Sequence, residues 1–137
     1  MLKYMLDTNI AIYVINRRPA EMLKTFNKYD GQMCISSITL AELLHGVEKS
    51  TMPEKNLRNV EDFISRLEVL HYDDNAAAHN GEIRADLERK GTPIGVNDLH
   101  IAGHARSRAL TLVSNNTKEF KCIEGLRLIN WTKNPNS

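Results

Sequence analysis

Three features of the chain predict an α/β layer sandwich around a central parallel sheet of about five strands. Short, wholly apolar runs of strand length alternate with longer segments whose apolar residues recur at helical spacing. The short runs are apolar on both faces, as strands covered by helices above and below must be. At 137 residues, with no repeat, linker or low-complexity segment, the chain has the length of one domain.

The first predicted strand runs from Leu2 to Leu6 and ends at Asp7. Ile10, Ile12, Tyr13, Val14 and Ile15 then open a helix, and strand followed by helix is the first half of a βαβ unit. Arg17-Arg18-Pro19 breaks that helix, and a second covers Ala20 to Asn27. Asp30-Gly31 marks a turn before the strand Gln32 to Ser36, in which Cys34 reads as a buried thiol. Leu40, Leu43, Leu44 and Val47 place a helix over Thr39 to about Ser50, with Thr39 or Ser37 as its cap and Glu42 in capping-box position after Thr39. Pro53 starts the next helix, whose apolar face carries Leu57, Val60, Ile64 and Leu67. A third strand covers Val69 to Tyr72. The helix opened by Asp73-Asp74-Asn75 runs to Lys90 and stops at Gly91. After the loop Thr92 to Gly95, a helix from about Asn97 to Ala109 faces Ile101, Ala102 and Ala105 inward. Leu110 to Ser114 is a fourth strand, Asn115-Asn116-Thr117 a turn and Leu126 to Asn130 a fifth strand.

Composition narrows the function classes. A net charge of +1 excludes the general field of a polybasic nucleic-acid protein and leaves room for a local basic patch. No apolar run approaches the roughly 20 residues of a membrane span, and Asp7 interrupts the first run too early for a signal peptide. Cys34 and Cys122 match no metal or redox spacing, so a reduced, cytoplasmic protein without membrane contact is expected. No glycine-rich phosphate loop follows the first strand.

Three carboxylates sit where chemistry is placed in such folds. Asp7 ends the first strand, Glu42 lies in the helix after the second, and Asp98 shares the inward face of the helix before the fourth. Each also fits a structural role: Asp7 as an N-cap, Glu42 in the capping box, Asp98 in a first turn favoured by the helix dipole. With strands one and four adjacent at a topological switch point, all three converge at the carboxyl edge of the sheet. Three oxygen ligands without thiolates suit Mg²⁺ or Mn²⁺ rather than zinc. Ser114 and Asn116, after strand four, reach the same edge. His100 and His104 are four residues apart on one helix but lack a third ligand, which argues against a zinc site. Arg106 and Arg108 read as surface or interface residues. A phosphatase with Asp7 as nucleophile would want a second aspartate where Asn9 stands.

The segments Met5-Leu6-Asp7-Thr8-Asn9, Ser36-Ser37-Ile38-Thr39-Leu40-Ala41-Glu42, Gly95-Val96-Asn97-Asp98-Leu99-His100-Ile101-Ala102 and Ser114-Asn115-Asn116-Thr117-Lys118-Glu119-Phe120 together resemble PIN-domain ribonucleases. More narrowly, they are similar to the VapC toxins of bacterial toxin–antitoxin pairs, from Met1 to about Trp131. The resemblance implies one three-layer α/β/α PIN domain over residues 1–132, with a flexible tail at 133–137. It implies metal-dependent hydrolysis of RNA by water, with Asp7, Glu42 and Asp98 as the metal-binding acids. The family's fourth acidic position falls on Asn116, which retains a ligating or water-orienting oxygen without the charge. Thr8, Asn9 and Ser114 are implied as residues that orient the carboxylates. Glu119 is a further acid, read as an exposed loop carboxylate.

Similarity to the toxins of enteric bacteria further implies the anticodon loop of initiator tRNA as substrate, with Arg17, Arg18, Lys49, Arg84, Arg89 and Lys90 as candidate backbone contacts. A VapB-type antitoxin is the implied partner, covering the site in a hetero-oligomer of homodimeric toxin and carrying all contact with operator DNA. The alternative reading is a PIN-like protein that grips RNA or a partner without cutting.

Overall fold

The computed structural model describes residues 1–132; the tail expected at 133–137 lies outside the described residues. Five strands, β1 (Tyr4–Leu6), β2 (Met33–Ser36), β3 (Glu68–Leu70), β4 (Thr111–Val113) and β5 (Arg127–Ile129), form one sheet in the order β3-β2-β1-β4-β5. Every pairing is parallel, and Met5 of β1 stands between Cys34 of β2 and Leu112 of β4. The chain builds outward from β1 through β2 to β3, then returns to the other side of β1 with β4. The switch point therefore lies between β1 and β4, as the sequence predicts.

Seven helices complete the described chain: α1 (Thr8–Asn16), α2 (Ala20–Lys28), α3 (Ser37–Glu48), α4 (Pro53–Ile64), α5 (Asp74–Lys90), α6 (Val96–Ser107) and α7 (Thr117–Phe120). Successive strand residues point to opposite faces. Leu6, Met33, Ile35 and Val113 thus pack with Ile10, Phe26, Leu43 and Phe63 of α1 to α4. Met5, Cys34 and Leu112 pack with Ile83, Leu99, Ile101 and Phe120 of α5 to α7. Burial pushes the Cys34 thiol up to about 12, so it is an un-ionised core group. None of the described helices is long and apolar enough to cross a membrane.

Three local expectations need correction. Helix α3 begins two residues earlier than predicted, and neither Thr39 nor Ser37 caps it: the Ser36 hydroxyl accepts from the Ile38 N–H at 3.1 Å. Thr39 is then fully buried inside the helix, and no capping box forms with Glu42. The segment after β4 is not only a turn, because Thr117–Phe120 winds one helical turn and buries Phe120. Arg106 is no surface residue either. Its side chain is 13% exposed, with Nε donating to His79 Nδ1 at 2.9 Å, Nη1 to the Glu124 carbonyl at 2.9 Å and Nη2 to Glu82 at 2.5 Å. It ties α6 to α5 and to the chain leaving α7.

Candidate active site

Asp7 stands where β1 gives way to α1 and performs the capping role as well as occupying the site. Its Oδ1 accepts from the Ile10 N–H at 2.9 Å, and it is 4% exposed. The Asp7 N–H bonds the Val113 carbonyl of β4 at 3.0 Å, so the carboxyl is fixed at the switch point. Burial raises its pKa above the ordinary aspartate value. Hydrogen bonds from Ser114 and the Ile10 amide work against that rise, and the charge of Glu42 adds to it.

Glu42 reaches the same point from the second turn of α3. The Thr8 hydroxyl donates to its Oε1 at 2.5 Å, and Asn97 Nδ2 donates to its Oε2 at 3.1 Å. The Thr8 oxygen also lies 3.3 Å from the Thr39 hydroxyl, which links the starts of α1 and α3. Asp98 comes from the first turn of α6 and is half-buried. Its pKa is pushed up to about 7, first by burial, then by a hydrogen bond to Glu119 and the charges of Glu119, Asp7 and Glu42. Glu119 is not the exposed loop acid expected from the sequence. It is half-buried on α7, and no group among the described residues donates to its buried Oε2.

The other predicted residues divide cleanly. Ser114 is fully buried, bonds Asp7, and its Oγ accepts from the Asn116 N–H at 2.9 Å. Thr8 holds Glu42. Asn9 is exposed without a side-chain hydrogen bond among the described residues. Asn116 is exposed at the start of α7, where its side chain makes no capping bond. The structure thus brings together Asp7, Glu42, Asp98, Thr8 and Ser114, adds Glu119 and Asn97, and leaves Asn9 and Asn116 facing solvent. Both additions have a faint sequence trace. Glu119 lies five residues beyond Ser114 at the end of the strand beside β1, and Asn97 directly precedes Asp98.

The two histidines are engaged elsewhere. His100 Nδ1 lies 2.9 Å from the Tyr72 hydroxyl and 2.6 Å from Asn80 Nδ2. His104 is fully buried with Nδ1 2.8 Å from Ser36 Oγ, and burial lowers its pKa. They belong to the packing of α6, not to a zinc site.

Asp98 therefore has Asp7, Glu42 and Glu119 about it, and no ion pair among the described residues compensates any of the four. No three His, Cys, Asp or Glu side chains among the described residues already close round one point. The fit to a hard divalent cation comes from the donor set: oxygens only, mutually repelling, partly desolvated, one with no donor at all.

Known proteins match nearly the whole of this chain. The PIN domain family matches residues 4–126. Ribonuclease VapC2 of Haemophilus influenzae is 59% identical over 131 residues, which cover 96% of this chain and 99% of that protein. The tRNA(fMet)-specific endonuclease VapC of Shigella flexneri is 56% identical over 132 residues, covering 96% of this chain and 100% of that one. Among solved structures, a chain of the DNA-bound VapBC of Salmonella typhimurium superposes with a TM-score of 0.92 at 57% identity, covering 96% and 99% of the two chains.

Proposed function

Because the chain belongs to the PIN-domain family and, within it, to the VapC ribonucleases, we propose that it is the toxin of a toxin–antitoxin pair. It is an endoribonuclease that cuts the anticodon loop of initiator tRNA in the cytoplasm and so stops translation. The observation that carries this reading is the cluster of Asp7, Glu42, Asp98 and Glu119, which no ion pair among the described residues balances. The name tRNA(fMet)-specific endonuclease, borne by a relative at 56% identity over nearly the full chain, supports the substrate.

Asp7, Glu42 and Asp98 hold Mg²⁺ or Mn²⁺, with Glu119 taking the place of a fourth acid. The ion, when bound, lowers the pKa of a water and steadies the charge that develops on the cleaved phosphate. The chain's own part is to aim the carboxylates. Ser114 and the first turn of α1 fix Asp7, and Thr8 fixes Glu42. Burial and the neighbouring acids hold the Asp98 carboxyl up at about 7. Asn9 and Asn116 offer exposed amides at the rim, where they can orient water or meet the RNA backbone.

The partner is a VapB-type antitoxin, and the toxin is homodimeric within their complex; operator DNA is contacted through the antitoxin. The VapBC complexes among the solved relatives support that assembly. A groove of about 260 Å³ leads away from Glu42 over Ile12, Ile15, Leu43, Val47 and Val60, which gives an apolar antitoxin segment a seat beside the acids.

The test is cleavage of total tRNA by purified protein freed of antitoxin, beside Asp7→Asn and Asp98→Asn. One tRNA species should be cut, with activity lost in EDTA and in both variants. A folded protein that binds tRNA yet cuts nothing with Mg²⁺ or Mn²⁺ would favour a non-cleaving RNA-binding protein instead.

A further inference from the structure

We infer that Asn97 is a positioning residue for Glu42, holding that carboxylate in the metal site from the same helical turn that delivers Asp98. Glutamate has three rotatable side-chain bonds, and Glu42 sits beside two other acids, Asp7 and Asp98, that repel it towards solvent. Two donors oppose that repulsion. Thr8 takes Oε1 at 2.5 Å, and the Asn97 amide takes Oε2 at 3.1 Å. Hydrogen bonds to an ionised oxygen are roughly twice as strong as those between neutral groups, so a donor at the exposed rim still restrains the carboxylate. Each carboxylate oxygen has a second lone pair, which leaves both free to meet a cation.

The placement adds a geometric link. Asn97 lies one residue before Asp98, in a turn anchored by the bond from the Leu99 N–H to the Gly95 carbonyl at 3.0 Å. The spacing between Glu42 of α3 and Asp98 of α6 is then set by a single rigid segment rather than by two helices independently. Loss of the amide frees Glu42 without disturbing the core, because Asn97 itself is exposed.

This inference rests on the metal-dependent reading above, and Mn²⁺ alone is the probe. In a titration of the full chain followed by the electron spin resonance of free Mn²⁺, Asn97→Ala should bind about tenfold more weakly, the lower end of what such supporting residues contribute. Asn97→Gln, which keeps the amide donor, should recover most of the affinity. The metal-free melting temperature should not move in either. On RNA, kcat should fall in Asn97→Ala while KM holds. In a Glu42→Ala background, Asn97→Ala should cause no further loss, since its effect passes through Glu42. Unchanged Mn²⁺ affinity in Asn97→Ala overturns the inference, and so does an effect that adds in full to that of Glu42→Ala. If the unmodified chain binds no Mn²⁺, the metal reading itself fails and takes this inference with it. A failure confined to Asn97 leaves that reading standing.

Discussion

The two ends of α6 treat charge in opposite ways. At its start, Asp98 faces Asp7, Glu42 and Glu119, and among the described residues no Lys, Arg or His side chain forms an ion pair with any of them. At its end, Arg106 has its Nε and both terminal nitrogens engaged by His79, Glu124 and Glu82. The helix dipole helps at both ends, favouring an acid at the first turn and a base at the last. It cannot balance four carboxyls. A partly buried charge that is paired has a structural purpose; a cluster left unpaired awaits something from outside. Sequence alone does not separate these cases, because both ends show a charged residue on an otherwise apolar helix.

Exchanging the acid for its neutral isostere gives the sharpest contrast. Asp98→Asn should lower cleavage by about a hundredfold or more, the scale lost when a group that steadies charge in the transition state is removed. The same variant should melt higher than the native chain without metal, since one member of a repelling set is gone. Activity assays beside metal-free calorimetry read both signs. A fall in melting temperature would mean that the acids support the fold and would erase the contrast.

The opposite end should respond the other way. Arg106→Met keeps much of the stem's packing but takes the donor from part-buried His79 and from the Glu124 carbonyl, and should cost about 1 kcal/mol of stability. Urea unfolding measures this, and the folded fraction should retain its Mn²⁺ affinity. Undiminished stability would place Arg106 with ordinary surface charges.

The smallest effect is a pH dependence. Asp98 is held near 7, above the ordinary value of 3.8, so the folded chain keeps a proton that the unfolded chain releases. Between about pH 4 and 7 the native state binds more protons, and metal-free stability falls as pH rises through that window. His104, lowered by burial, acts in the reverse sense, removing stability as pH drops below its ordinary 6.5. The difference in melting temperature between the native chain and Asp98→Asn isolates the first contribution. It should widen from pH 4 to 7 and level off above.

Much of this arrangement is legible in the residues themselves. An apolar run ending in Asp7, with further acids after the second strand and before the fourth, defines both the sheet and its acidic edge. What escapes is set by contacts between distant segments. Glu119 rides on α7, four residues long and too short to leave a helical period. Asn97 is one exposed amide among many, significant only because Glu42 lies across from it. Ser36, Ser37 and Thr39 are all competent caps, and only the backbone path at the end of β2 selects Ser36. Arg106 looks like any helix-surface arginine until α5 supplies Glu82 and His79.

The order of the strands has a consequence for how such a chain is made. The four acids come from residues 7, 42, 98 and 119, and the strand that locks Asp7 in place, β4, follows the first three of them along the chain. A nascent chain still short of Glu119 has no complete site, whatever its earlier portion has folded into. The four carboxyls therefore assemble only after the chain has returned past β1 with β4 and α7 has closed behind it.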